Sequence, residues 1–188
     1  MKFSAAALAV LVSAASTASA FTIHFQNNCG FAVWPAVGKA PYGSPDTSVA
    51  FGTMLGAGAS VSYGVGDSEL GIRAWGRTGC ANDGTNCATG GCVGGMVCTD
   101  AGLNSGVIVS EYGYANFGAQ YGGERTSWDL SHVGLSINLN TRLASSDGQS
   151  VLCTTGSCAD NQAYSYTDDY AADRNSPLGQ TYTHTFCA

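Results

Sequence analysis

Apolar and polar residues alternate along this chain in short runs separated by glycine-rich turns. Residues 22–27 (TIHFQN) alternate, and 31–37 (FAVWPAV) follow a turn at Asn27-Asn28-Cys29-Gly30, which predicts a first pair of strands. Pro35 predicts that the second strand lies at an edge or ends there. Residues 38–47 read as a Gly/Pro/Ser/Asp loop, and apolar stretches at 48–55, 59–65 and 70–77 follow. Residues 79–106 hold four cysteines among glycines and have no periodicity, so they read as a stapled loop region. Strand patterns resume at 107–114, 126–130 and 133–139. Residues 140–162 are polar, and YSYT at 164–167 and TYTHTF at 181–186 alternate again. Many short strands with glycine turns predict an all-β sandwich or barrel.

The first 20 residues do not fit that pattern. Lys2, an apolar run from Ala5 to Val12 and the small residues Ala18-Ser19-Ala20 have the order of a cleaved secretory signal. The run is too short to span a membrane, which takes ~20 apolar residues. The expected division is a signal at 1–20 and a single domain at 21–188, with 188 − 20 = 168 residues in the mature chain. The formal charge is −6, with 7 Lys+Arg and 13 Asp+Glu; loss of Lys2 makes it 6 − 13 = −7. An acidic chain without a basic run is a poor ligand for nucleic acid or an anionic membrane. With 45% hydrophobic and only 11% charged residues, the chain is not of the disordered class. Its 26 glycines disfavour long helices, at ~1 kcal/mol for each interior Gly.

All eight cysteines follow the signal: Cys29, Cys80, Cys87, Cys92, Cys98, Cys153, Cys158 and Cys187. An even count in an exported chain reads as four disulfides. Zinc is the competing reading, but the cysteines form no CxxC pair and His24, His132 and His184 are not at ligand spacing. No metal, cofactor, nucleotide motif or serine nucleophile elbow is implied.

The segment GIRAWGRTGCANDGTNCATGGCVGGMVC (71–98) resembles the thaumatin-like proteins of pathogenesis-related group five. The matching residues are Trp75, Arg77, Thr78, Cys80, Cys87, Thr89, Gly90, Cys92, Gly94, Gly95 and Cys98, with Val93 inserted and Gly91 where the family has Asp. FTIHFQNNCGFAVWPAV, VSEYGYANF, WDLSHVGLSINL and CADNQAYSYTDD are similar to further family segments in the same order. The large cysteine-rich second domain of longer members is absent. The resemblance therefore implies a disulfide-stapled thaumatin-like β-sandwich whose acidic cleft has lost one wall. It also implies the pairs Cys29–Cys187, Cys80–Cys87 and Cys92–Cys98, which leaves Cys153–Cys158.

The family cleft carries an Arg, a Glu and three Asp. The resemblance places the Glu at Glu111 and one Asp at Asp129, loses another at Gly134, and leaves the last at Asp160 or Gln162. The Arg falls near Asp67, without a counterpart. Glu111 and Asp129 are the expected acid and base or nucleophile if a glycoside is cleaved. Glu111 is the better acid, and both are expected to titrate close to their ordinary range. The other reading makes them strand-end acids bonded to backbone or Arg. Tyr112 and Tyr114, with Phe117 and Tyr121, are read as rings that stack on sugar or pack in the core. Arg73 and Arg77 straddle Trp75; both are read as projecting to one face and Trp75 to the other, into the core, with Arg77 in a structural ion pair. Asp168, Asp169 and Asp173 read as a solvated loop in preference to a calcium site.

The expectation is a secreted, extracellular monomer that binds cell-wall β-1,3-glucan through Glu111, Asp129, Asp160, Tyr112 and Tyr114, with weak or no hydrolysis. The alternative is a non-enzymatic defence or effector protein acting through protein contacts. Neither reading requires nucleic acid or a membrane.

Overall fold

The computed structural model describes residues 20–99, 101 and 106–188. The expected signal lies outside them except for Ala20. Among the described residues, eleven strands form two sheets. They are β1 (Ala20–Asn27), β2 (Trp34–Tyr42), β3 (Ser44–Gly52), β4 (Ser60–Gly66), β5 (Ile72–Arg77) and β6 (Val109–Asn116), followed by β7 (Glu124–Ser131), β8 (Thr141–Ser145), β9 (Ser150–Cys153), β10 (Arg174–Pro177) and β11 (Thr181–Phe186). The five-stranded sheet runs β4-β1-β11-β8-β9 and the six-stranded sheet β10-β7-β6-β5-β2-β3.

The two sheets face each other across one core. On β1, Phe21, Ile23 and Phe25 are buried and alternate with half-buried Thr22, His24 and Gln26, the signature of a strand with one face inside. The six-stranded sheet adds Ile72, Ala74, Tyr112, Trp128 and Leu130. Aromatic rings bridge the layers: Phe21 lies 5.4 Å from Tyr112, and Tyr182 lies 5.7 Å from Trp128. At Gly76 the sheets come so close that a Cβ would sit 2.6 Å from the Phe186 ring.

Disulfides join Cys29 to Cys187, Cys80 to Cys87, Cys92 to Cys98 and Cys153 to Cys158. The first follows directly on the parallel pairing of β1 with β11, which sets Asn27 opposite Phe186. It closes a separation of 158 residues, worth about 5 kcal/mol in the chain-entropy account.

Several expected elements differ. Residues 38–47 are not a loop but the hairpin of β2 and β3, turning at Gly43. β2 is an interior strand. Pro35 is tolerated at its start because pairing with β3 begins only at Ala36, opposite Gly52. Residues 133–139 are not a strand: Asn138 there donates to the Gly76 carbonyl and to Thr89 Oγ1, pinning the segment across other elements. YSYT contributes one bridge, Ser131 to Tyr164, and no strand. Strands β8 and β9 lie inside the stretch read as polar, and β10 was not foreseen.

Trp75 corrects a further expectation. Residues two apart share a face of a strand, so Arg73, Trp75 and Arg77 all project to the same side. That side is the outer face of the six-stranded sheet. Trp75 is buried there under the stapled loop, with Ala36, Cys98, Ala101, Val107 and Val109, and its Nε1 donates to Gly90 O at 2.8 Å. Arg77 is fully buried beside it and has no ion pair among the described residues. Its guanidinium donates to the carbonyls of Trp34, Gly84, Gly95 and Met96. Burial lowers its pKa to about 10. The loop thus covers one end of this outer face.

Candidate functional site

The other end of the outer face carries a row of charged residues fixed by strand register. Arg73 on β5 pairs with Glu111 on β6, and Glu111 pairs with Asp129 on β7. Such partners have Cβ atoms ~4.5–5.5 Å apart. Arg73 Nε donates to Glu111 Oε1 at 2.9 Å, in an ion pair with both side chains about one-third exposed. Arg73 Nη1 also reaches the Ala101 carbonyl at 3.3 Å.

Asp129 is the unusual member. Its Oδ1 is sealed from solvent and has no hydrogen-bond partner among the described residues. Burial, then the neighbouring Glu111 and Asp173, push its pKa well above the usual carboxylate range; Arg73 acts against this. Desolvation and like charge both disfavour a second anion here.

These residues line a cleft of about 440 Å³. Val109 and Ser131 belong to its sheet floor, and Val133, Leu135, Tyr164 and Thr167 come from the following loops. Tyr164 donates its hydroxyl to Asp173 Oδ1 at 2.6 Å; burial and that bond raise the phenol's pKa. The cleft therefore offers one guanidinium, two carboxyls, a phenol and an apolar side. That combination can hold a ligand with hydroxyl or ammonium groups on its edges and an apolar face. It also sets an acid of raised pKa, Asp129, beside the carboxylate of Glu111.

The structure brings together only two of the five expected binding residues, Glu111 and Asp129. Tyr112 follows Glu111 and so points the opposite way, into the core. It is buried, packs on Phe21 and Tyr182, and donates to Ser110 Oγ at 3.0 Å. Tyr114 shares that inner parity. It lies at the sheet rim, donates to Glu124 at 2.8 Å, and lines a separate hollow with Asp67, Ser68 and Leu178. Asp160 is exposed in a turn and does not line the cleft. The Gln162 side chain accepts the Leu152 N–H, so it too is engaged elsewhere.

One residue stands in an expected gap: Arg73 supplies the cationic group from the neighbouring strand. Asp173, beside Tyr164, lies outside the cleft lining and acts on Asp129 through its charge. Strand parity was the available signal for Arg73, which lies two residues before the inert Trp75. Nothing local marks Asp173. Against the expectation of ordinary titration, the half-buried Asp129 carboxyl is pushed well above the usual range, chiefly by desolvation and then by Glu111 beside it in register.

The remaining candidates separate. Asp169 is buried and accepts from Ser165, away from any cluster. Among the described residues no group of three His, Cys, Asp or Glu has metal-holding geometry. His24 faces outward and bonds Ser62 Oγ at 2.8 Å, whereas His184 is buried against Ser110 Oγ at 3.0 Å. Among the described residues no helix is long and apolar enough to cross a membrane.

Comparison with known proteins matches the Thaumatin family model to residues 27–163. The chain is 33% identical over 175 residues to "Thaumatin-like protein PWIR2" of Triticum aestivum, covering 92% of this chain and 91% of that one. It is 31% identical over 148 residues to a "Glucan endo-1,3-beta-glucosidase" of Prunus avium, covering 77% of this chain and 56% of that protein. Among solved structures, the thaumatin-like xylanase inhibitor TLXI aligns with a TM-score of 0.61 at 26% identity, covering 88% of this chain and 99% of that one.

Proposed function

The chain belongs to the thaumatin family, and on that premise we propose that it is a secreted protein whose acidic cleft binds cell-wall β-1,3-glucan, with weak or no hydrolysis. The observation that carries this reading is the register row Arg73–Glu111–Asp129 flooring an open cleft beside Val133 and Leu135. Pyranose rings have apolar CH faces and polar edges, and the cleft has one surface for each. The relative named as a glucan endo-1,3-beta-glucosidase supports the choice of polymer. Four disulfides fit export to an oxidising compartment, in keeping with residues 1–20 as a signal.

Hydrolysis would need a proton donor on one side of the glycosidic bond and a free carboxylate on the other. Asp129 suits the donor role. Glu111 is less suited to attack because its Oε1 is held by Arg73. Binding is therefore the better-supported activity. The test is retention on insoluble β-1,3-glucan together with reducing-sugar release from a soluble one. Wild type should be retained, Glu111→Gln and Asp129→Asn should be retained several-fold less, and sugar release should be slight. Robust turnover abolished by either change would make the protein a glucanase. Unchanged retention in both variants would remove the cleft as the site.

A second reading rests on the fold neighbour. A protein described as a xylanase inhibitor aligns along 99% of its own length, which supports a role through protein contacts. Inhibition of secreted glycoside hydrolases by the purified protein, without glucan retention, would favour it.

A further inference from the structure

The candidate cleft opens on the outer face of the six-stranded sheet, and the outer face of the five-stranded sheet lies on the opposite side of the sandwich. The aromatic rings of its strands, Phe21, Phe25, Tyr63, Tyr182 and Phe186, all pack inward, so the residues between them project outward. On β11 these are Thr181, Thr183 and Thr185; on β1, its parallel neighbour, they are Thr22, His24 and Gln26. Register sets Thr22 beside Thr181, His24 beside Thr183 and Gln26 beside Thr185. Thr181 is exposed and the other three threonines are half-buried. None of the four threonine hydroxyls makes a hydrogen bond to a described residue. Charge is also missing from this layer. The chain has 13 Asp+Glu, but strands β4, β1, β11, β8 and β9 hold none, and Arg142 is their single Lys or Arg.

The chemistry of this face selects its partner. A face almost free of charge complements an uncharged occupant, not nucleic acid or an anionic membrane. It has no Trp or Tyr to anchor a protein, and no ring to stack on a sugar. What it does have is spacing. Successive outward threonines of β11 repeat every ~6.6–6.8 Å, and the neighbouring strand lies ~4.7–4.9 Å away. The second distance is close to the oxygen repeat along the a axis of hexagonal ice, and the first is a little shorter than the repeat along its c axis. A threonine hydroxyl can take the place of a lattice water, while its methyl fills the gap between lattice sites. The array is also ordered in advance, since β-branched side chains are stiff at χ1 and the Cys29–Cys187 bridge ties the ends of the two strands. We infer that the threonine face of β1 and β11 binds the surface of ice crystals and slows their recrystallisation. Sheet twist carries distant positions out of one plane, so the match is confined to the β1–β11 ranks. The activity is therefore inhibition of recrystallisation, not a large depression of the freezing point.

The test grows ice slowly from a dilute solution of the purified protein and measures the fraction taken into the ice, with lysozyme as the excluded reference. Crystal size in an annealed frozen film is the second readout. Wild type should enter the ice severalfold more than lysozyme and keep the annealed crystals small. Thr183→Lys and Thr22→Lys, which place a long cation in the middle and at one end of the array, should each lower incorporation about tenfold and let the crystals coarsen. Gln120→Lys adds the same charge at an exposed turn between β6 and β7 and should behave as wild type. Urea midpoints verify that each variant is folded, and the comparison of wild type with lysozyme needs no variant. Exclusion of wild type from ice would overturn the inference, as would undiminished incorporation of both face variants or an equal loss in Gln120→Lys. Retention on β-1,3-glucan is measured in parallel and should be unchanged in Thr183→Lys, because the cleft lies on the other sheet. Its loss in that variant would assign this face to polysaccharide and overturn the inference. Ice incorporation without glucan retention sustains the inference and removes the cleft reading; glucan retention without ice incorporation does the reverse.

Discussion

Glu111 on β6 and Asp129 on β7 are register partners, two acids set side by side on one face of a sheet. Like charges placed directly opposite destabilise a strand pair. The structure relieves this in two ways: Arg73 holds Glu111 at 2.9 Å, and burial keeps Asp129 toward its neutral form.

Replacement of Asp129 by Asn should therefore stabilise the fold at pH 7, because a carboxyl whose native pKa is raised works against folding once it must ionise. The sign follows from the raised native pKa. Below the ordinary value of 3.8 both folded and unfolded chains carry the proton, so no difference arises. As pH rises above it, the unfolded chain ionises first and folding becomes less favourable. Urea unfolding of wild type and variant should diverge at pH 7 and converge near pH 3.

His184 should act in the opposite direction. It is fully buried on β11, and burial lowers its pKa from 6.5 to about 3. The unfolded chain takes up a proton below pH 6.5 that the native chain resists. Stability is then lost as pH falls from 6.5 toward 3, by up to about 5 kcal/mol at the lower limit. Tm measured across that window should fall for wild type and fall much less for His184→Gln. Parallel slopes for the two would contradict this account.

Arg77, at the end of β5, should be the most costly single side chain holding the stapled loop. Its guanidinium satisfies four backbone carbonyls, from Trp34 on one side and Gly84, Gly95 and Met96 on the other. Arg77→Met should cost on the order of 3–5 kcal/mol, because several buried acceptors lose their donors together. Arg77→Lys should recover little, as an ammonium cannot reproduce the planar fork. Amide exchange should rise first in residues 78–99 if the loss is local to the loop.

Reduction of Cys29–Cys187, or the paired change of both to Ala, should cost roughly 2–5 kcal/mol. Denaturant midpoints with and without the bridge measure it. A loss confined to the local bridge Cys80–Cys87, with the terminal pair neutral, would contradict the loop-length argument.

Much of the sandwich was legible, for identifiable reasons. β1 and β11 each bury one face, so TIHFQN and TYTHTF alternate openly. The segment RNSP of β10 has no such pattern; Arg174, Asn175, Ser176 and Pro177 are extended because β7 provides their partners, Trp128 to Arg125. The apolar residues of 133–139 imitate a strand because Val133 and Leu135 wall a cleft and Leu139 enters the core. At the site, Glu111 and Asp129 came from family spacing. Arg73 did not, since its nearness to Glu111 depends on register between strands distant in sequence. The error at Tyr112 was one of parity: adjacency along a strand places two side chains on opposite faces.

The order β4-β1-β11-β8-β9 puts the final strand at the middle of its sheet. β1 has β4 on one side, but its other edge, and the partner edge of β8, stay open until residues 181–186 arrive between them. Tyr182, His184 and Phe186 are also core residues, so the interior is unfilled until then. A chain that has not yet placed residues 181–186 is thus unfinished, and closing this sheet takes the insertion of a strand, not the docking of a finished unit. Contacts so distant in sequence make for slow folding. Removal of even the last eight residues should leave no smaller version of this fold, only an exposed, adhesive half-sheet.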